Sequence, residues 1–315
     1  MQLLRRSVVC LSSFWSTQLD RRNEACYIIL SSHNTGIYDG TLSARGLGLK
    51  LITLLTDFGL QDGYSGMMKG VIWGIAPDAQ IADLTHSIHP QDILEGALAL
   101  GRAAPYFPSG TIHLAVVDPG VGTQRRAMAA RIGNCFFVGP DNGLCTALLE
   151  QAAAKGEPLQ AVQLDQPRFW LPEVSNVFHG RDIFAPAAAH LANGVPLSDL
   201  GSPLAEVARL HIPQPKPLAG TARRGWQGQV IHIDAFGNLA TNFTRQHIFD
   251  AHEIRLRIAG QEICGLSHTF GAGQPGDLVA LLDSAGQISL CEVNGSAALR
   301  LKVASGEPVE LYWQV

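Results

Sequence analysis

Residues 112 to 117, Ile-His-Leu-Ala-Val-Val, constrain this chain more than any other stretch. The run is short, largely apolar and rich in β-branched side chains, which predicts a strand buried on both faces of a parallel sheet. Asp118 follows directly, then Pro119, Gly120, Val121 and Gly122. Glycines in such a turn permit positive φ and leave backbone N–H groups bare, so the carboxylate is predicted to face a concavity. The preceding sequence has the same grammar. Leu51 to Leu55 reads as a strand that stops at Thr56-Asp57-Phe58-Gly59, after which Tyr64, Met67, Met68, Val71 and Ile72 recur at helical spacing. Ala79 to Ala82 reads as a strand ending in Asp83-Leu84-Thr85-His86. Pro90 to Tyr106 reads as a helix with Pro90 in its first turn and Ile93, Leu94, Ala97, Leu98 and Leu100 on its packing face.

After Asp118, Ala127 to Ile132 and Cys135 to Val138 are predicted to pair around Gly133-Asn134, the second strand running into Pro140-Asp141-Asn142-Gly143. Leu144 to Ala154 reads as a helix, Ala161 to Leu164 as a strand, and Arg181 to Asn193 as a helix stopped by Gly194. Between Pro196 and Trp226 the composition changes, with Pro203, Pro213, Pro215 and Pro217 followed by Gly220 and Gly225. Short alternating segments follow: 229 to 233, 238 to 243, 253 to 258, 278 to 282, 287 to 293 and 309 to 313. The predicted architecture is therefore an N-terminal α/β sheet domain over residues 50–195, a linker over 196–225 and a small antiparallel β-barrel over 226–315. Residues 1–49 lack regular periodicity and read as a flexible extension. Their apolar patch is broken by serines and lacks a small-residue cleavage site, so no secretory signal is expected.

A formal net charge of −4 argues against a polyanionic partner such as nucleic acid, which needs clustered Lys and Arg. No apolar run approaches the ~20 residues of a membrane span. Cys10, Cys26, Cys135, Cys145, Cys264 and Cys291 are widely spaced, without a CxxC or a Cys/His cluster. That pattern fits reduced thiols in the cytoplasm better than disulfides or zinc. His86 and His89 with Asp83 have the spacing of a metal site but lack a further ligand in a familiar pattern, so no metal is expected.

Asp57, Asp83, Asp118 and Asp141 each follow a predicted strand, at the edge where open α/β sheets bind ligands. Four carboxylates there repel an anion and suit a cation or a sugar diol, although Asp also caps turns and helices well. Arg125 and Arg126 can hold Asp118 ionised, or form a purely structural pair with it. His179, in FHGRDIFAP, stands at the mouth of the last helix, where an imidazole either exchanges a proton with a ligand or caps the helix. In Asp234-Ala235-Phe236-Gly237-Asn238 an aromatic face beside an amide suits adenine, and the same residues also suit a β-turn. Walker A, GxGxxG and GxSxG patterns are absent.

Seven strings occur in order: TDFG at 56 to 59, DLTHSI at 83 to 88, VVDPGVGTQRR at 116 to 126, GPDNGL at 139 to 144, FHGRDIFAPAAAHLA at 178 to 192, IDAFGNLATN at 233 to 242 and NGSAA at 294 to 298. Together they resemble the S-adenosylmethionine hydroxide adenosyltransferase family, which is related to the S-adenosylmethionine-dependent fluorinase and chlorinase. The resemblance runs from about Leu51 to the C-terminus. It implies hydrolysis of S-adenosylmethionine to adenosine and L-methionine by water or hydroxide attacking the ribose C5′, with no cofactor. It further implies that Asp118, Arg125 and His179 hold and activate the water and that Asp57 binds the ribose hydroxyls. Phe236 and Asn238 match adenine contacts, Phe270 an apolar wall, Asp234 and Ser284 groups near the methionine end, and Glu292 to Asn294 a backbone adenine contact. The resemblance also implies a homotrimer, as is typical of the family, with each site between one subunit's first domain and its neighbour's second.

A sulfonium already leaves well, so the demanding step is the nucleophile: water has a pKa of ~15.7, and either Asp118 or His179 can take its proton. Two other readings stay open. A halogenase needs a neutral, donor-rich halide pocket, and a carboxylate ~4 Å from chloride opposes binding by ~1 kcal/mol even in water-like surroundings. The related halogenases are uncharged at the position of Asp118 and resemble a Tyr-Ser pattern where this chain has His179-Gly180, although Gln91 and Val121 also fall where those enzymes place site side chains. A binder of adenosine or S-adenosylmethionine without catalysis is the third reading, and it predicts loss of the charge set at 118, 125 and 179, all of which is present.

Overall fold

The computed structural model of the protein describes residues 50–219, 224–249 and 253–313, and the extension expected at residues 1–49 lies outside them. In chain order the first domain comprises β1 (Leu51–Thr56), α1 (Tyr64–Ile75), β2 (Gln80–Thr85), α2 (Ile93–Ala103), β3 (Ile112–Val116), β4 (Ala127–Ile132), β5 (Cys135–Pro140), α3 (Thr146–Ala154), β6 (Leu159–Gln163) and α4 (Ala185–Ala192). Its sheet has the order β2-β1-β3-β5-β4-β6. The first four of these strands pair in parallel, whereas β4 lies antiparallel to both β5 and β6. The short Gly133-Asn134 reversal forces that switch, because a parallel neighbour needs a long crossover.

β3 is buried along its whole length, as its sequence requires. Ile112, Leu114 and Val116 face the cluster built with α1 and α4, and Ala115 and Val117 face the cluster built with α2 and α3. The result is a three-layer α/β/α sandwich. Helices α2 and α3 approach closely at Gly101, where an added Cβ would lie 2.5 Å from that of Ala147.

His113 is the one ionisable side chain within β3. Its Nδ1 lies 2.8 Å from Thr53 Oγ1, its Nε2 is buried without a partner, and burial pushes its pKa down to about 4. A histidine depressed in this way leaves stability intact above the unfolded pKa of ~6.5 and removes it as pH falls toward 4, by up to about 3 kcal/mol. Denaturant titrations from pH 7 to 4 should therefore show a steep loss of stability that flattens in His113→Leu. An unchanged pH slope in that variant would mean His113 does not carry the effect.

Three local features depart from expectation. α2 begins at Ile93 rather than in the turn of Pro90, because Gln91 adopts φ 68° and Asp92 caps the helix by accepting from Glu95 N at 2.8 Å. Such a cap contributes about 1 kcal/mol. β2 continues to Thr85, so Asp83 lies inside the strand, opposite Leu54 beside a register shift in β1. The helix expected from Arg181 starts instead as a π-helical turn, Gly180–Phe184, before α4.

Residues 202 to 210, in the expected linker, run along the first domain. Leu204 N donates to Ala161 O, Ala208 N to Asp141 Oδ1 and Leu210 N to Thr146 Oγ1. β7 (Lys216–Pro217) then pairs with the second sheet. That sheet contains β8 (Arg224–Ile233), β9 (Leu239–Thr244), β10 (Arg255–Ile258), β11 (Gln261–Cys264), β12 (Leu278–Leu282), β13 (Gln287–Glu292) and β14 (Pro308–Trp313), with α5 (Ala297–Leu301) before the last strand. All pairings are antiparallel along the path β11-β10-β14-β8-β9-β13-β12, and the two end strands meet to make a nearly closed barrel. Val230, Leu239, Phe243, Leu256, Ile288, Leu290, Val309 and Leu311 fill it. β11 and α5 were not anticipated: the first is four residues long with only Ile263 buried, and the second is a single turn capped by Ser296.

Candidate active site

β1 and β3 are adjacent and parallel, with Thr56 opposite Val116, so Asp57 and Asp118 emerge side by side at the carboxyl edge of the sheet. Asp57 Oδ2 accepts from Gln91 N at 2.8 Å, and the left-handed conformation of Gln91 aims that N–H at the carboxylate. Backbone strain of this kind costs of order 1–3 kcal/mol and concentrates at functional sites.

Asp118 and Arg125 form a fork. Arg125 Nε donates to Oδ1 at 2.9 Å and to Oδ2 at 3.0 Å, and one terminal nitrogen donates to Oδ2 in a short contact. The two side chains are only 5% and 11% exposed, so this is a desolvated pair whose partners depend on each other. The Phe184 ring supports the guanidinium from beneath at 5.1 Å.

His179, at the start of the turn over 180–184, completes the cluster. Its Nδ1 lies 2.9 Å from the Arg125 terminal nitrogen that also serves Asp118. Two loops must meet for this. At Gly122, φ is 76° and a Cβ would come within 2.3 Å of Asn176 O, so only glycine lets the 118–125 loop touch the segment carrying His179. Phe58, Tyr64 and Phe178 pack edge to face beside it, with centroids 5.3 to 5.9 Å apart.

Arginine can only donate, so His179 Nδ1 is the acceptor and the proton of the neutral imidazole sits on Nε2. Burial, followed by the Arg125 charge, holds the His179 pKa below its ordinary value, against the opposing pull of Asp118 and Asp182. The ring is thus neutral at pH 7, with Nε2–H available as a donor.

The other rim carboxylates are already engaged. Asp141 is paired with Arg126 and accepts from Ala208 N, and Asp83 pairs with Lys69 at 2.6 Å and lies 3.2 Å from His86 Nε2. Asp57 and Asp118 therefore remain as the acidic face. His86 bonds Thr56 through Nδ1, and His89 bonds Glu95. Among the described residues no group of three or more His, Cys, Asp or Glu side chains could hold a metal ion.

The barrel residues are arranged separately. Asp234 Oδ1 accepts from Phe236 N and Asn238 N, both at 2.9 Å, and Oδ2 accepts from Asn238 Nδ2 at 2.8 Å. This turn holds out Phe236, which is 77% exposed; Phe270 is 48% exposed. Ser284 lies exposed in the turn ordered by Asp283, Glu292 sits 3.5 Å from Arg300, and Asn294 turns the chain with φ 56°. Among the described residues, no hydrogen bond, ion pair or ring contact connects these seven to Asp118, Arg125 or His179 within one chain. Sequence reasoning missed Phe184, the backbone of Gln91 and Asp182. The first and last of these lie in the FHGRDIFAP string, but their roles depend on contacts no string displays.

Residues 52–201 match the SAM (S-adenosylmethionine) hydroxide adenosyltransferase N-terminal domain, and residues 228–310 match the corresponding C-terminal domain. The chain belongs to the S-adenosylmethionine hydroxide adenosyltransferase family. It is 42% identical over 257 residues to an (R)-S-adenosyl-L-methionine hydrolase of Salinispora tropica, covering 81% of this chain and 95% of that one. A Thermus thermophilus protein of the same name is 41% identical, over 84% of this chain and all of its own length. An Actinoplanes fluorinase stands further off, at 29% identity over 77% of this chain and 91% of its own. Among solved structures, an uncharacterised conserved Thermotoga maritima protein superposes with a TM-score of 0.73 at 34% identity, covering 82% of this chain and 99% of that one.

Proposed function

We propose that this protein hydrolyses S-adenosyl-L-methionine to adenosine and L-methionine. The observation that carries the reading is the contact of Asp118, Arg125 and His179 in one partly buried cluster. Water attacks the ribose C5′, an O–C bond forms, and the C–S bond breaks with its electron pair going to sulfur. The sulfonium becomes the neutral thioether of methionine, so no acid is needed there. Arg125 occupies Nδ1 of His179 and Nε2 carries the proton, so in this reading Asp118 accepts the water's proton and passes it to solvent. His179 orients the water by donating from Nε2. Asp57 binds the ribose diol.

The substrate's other contacts come from the barrel: Phe236 and Asn238 on adenine with the Glu292 to Asn294 backbone, Phe270 as an apolar wall, and Asp234 and Ser284 toward methionine. Phe236, Phe270, Ser284 and Asn294 are exposed, and the barrel set makes no contact with the Asp118 cluster in one chain, which supports a homotrimer whose sites combine one subunit's first domain with its neighbour's barrel. Cys135, Cys145, Cys264 and Cys291 are free thiols, and no described helix is long and apolar enough to cross a membrane. We place the enzyme in the cytoplasm, with no metal or cofactor.

Chromatography of S-adenosylmethionine incubated with the protein, with and without chloride, tests the reaction. Adenosine and methionine in equal amounts are expected in both; a 5′-halo product would sink the hydrolytic reading. In mixtures of Asp118→Asn and Phe236→Ala subunits, turnover should reappear, since some sites draw both intact halves from different chains. No recovery after confirmed subunit exchange would argue against shared sites.

A further inference from the structure

The most deeply buried acid near the site is not among the residues that surround the reacting centre. Asp182 is fully buried, and its carboxylate ties together a segment that has little regular structure. Arg181 Nε donates to Oδ1 at 2.5 Å and a terminal nitrogen of Arg181 to Oδ2 at 3.1 Å, while Ser175 N donates to Oδ2 at 2.8 Å. The Asp182 backbone does the same work: its N–H donates to Phe178 O at 3.1 Å and its carbonyl accepts from Leu171 N at 2.9 Å. Arg181 also lies over the Phe178 ring at 5.1 Å.

His179 sits between these anchors, at the entrance to the π-helical turn. Single π turns inside helices occur often at functional sites because they re-aim a side chain. Gly180, next to His179, packs close to its neighbours: a Cβ there would lie 3.3 Å from the Phe178 ring and 3.4 Å from Met68 Sδ.

We propose that Asp182 is a positioning residue for His179: its buried carboxylate ties Ser175 to Arg181 across the loop that carries the imidazole and thereby sets its Nδ1 against Arg125. The assignment rests on the hydrolytic reading for its consequence in catalysis, but its structural content is independent of it. The charges around the imidazole are Arg125 and Asp118 from the facing loop, and Asp182 with its partner Arg181 from its own segment. From α1 comes Tyr64, packed on Phe178. Of these, Asp118 and Asp182 favour the imidazolium and Arg125 opposes it, with burial. Asp182 therefore acts twice, through geometry and through charge.

The test uses the full-length protein with isotopically labelled histidine, following the His179 imidazole resonances against pH. In Asp182→Asn the His179 midpoint should fall by roughly half a pH unit or more, since a nearby anion is lost. The kcat for adenosine formation should fall about 10-fold to 100-fold with KM changed less than about threefold, and the acid limb of the pH–rate profile should move down with the midpoint. A purely structural residue would lower activity equally at every pH and leave the titration in place, which would overturn the proposal. If Asp182→Asn does not fold, Arg181→Gln serves instead: the Asp182 carboxylate, freed of its cation, should act more strongly on the imidazole and move the midpoint upward, and an unmoved midpoint again overturns the proposal. A wild-type protein that forms no adenosine would remove the assigned reaction, yet the titration shift would still judge the role of Asp182.

Discussion

Asp118→Asn is expected to lower kcat for adenosine formation by roughly 10³-fold, because the amide has no proton affinity to offer the attacking water. The change preserves volume, and Arg125 keeps an oxygen to bind, so adenosine affinity measured by calorimetry should stay within a few-fold of wild type. The geometry argues for this residue over His179 as the proton acceptor. Arg125 fills Nδ1 of the ring, whereas an ionised carboxylate has about four lone-pair positions, and Arg125 uses only some of them. His179→Gln, which retains a side-chain N–H donor, should accordingly lose less rate than Asp118→Asn. The reverse ranking would move the base to the imidazole.

Arg125→Ala is expected to damage both folding and turnover. The guanidinium is the only group in hydrogen-bond contact with both Asp118 and His179 among the described residues, and the pair it forms with Asp118 is nearly closed to solvent. Removing one partner leaves a buried carboxylate uncompensated, a change that typically costs about 3–5 kcal/mol. The fork that fixes the Asp118 carboxylate and the Nδ1 side of His179 is lost with it, so kcat should fall by roughly 10²-fold or more. Arg125→Lys restores charge without the planar fork, and should recover much of the stability but little of the rate. Urea denaturation and steady-state assays on both variants check this. An alanine variant as stable as wild type would show that the ion pair adds nothing to the fold.

Much of the first domain was legible because its strands carry strong local signals. A run as apolar as residues 112 to 117 has few alternatives to a central strand, and the carboxylate after it falls at the ligand-binding edge whatever the surroundings. Boundaries were less legible. Pro90 suits a helix start, but the left-handed Gln91 and the Asp92 cap moved the start to Ile93, because Gln91 N is drawn to Asp57 thirty-four residues earlier. A π-helical turn at 180–184 leaves no periodic trace over five residues.

Residue types and their order along the chain determined by themselves the α/β sheet and the barrel after it, and pointed to Asp118, Arg125 and His179 as candidates, since these depend on local periodicity and on strings read in sequence. Only the tertiary structure decided that Asp141 and Asp83 are occupied by Arg126 and Lys69 while Asp118 shares Arg125 with His179. An ion pair depends on which cation lies within a few ångströms, and chain folding sets that distance. Separation along the sequence does not.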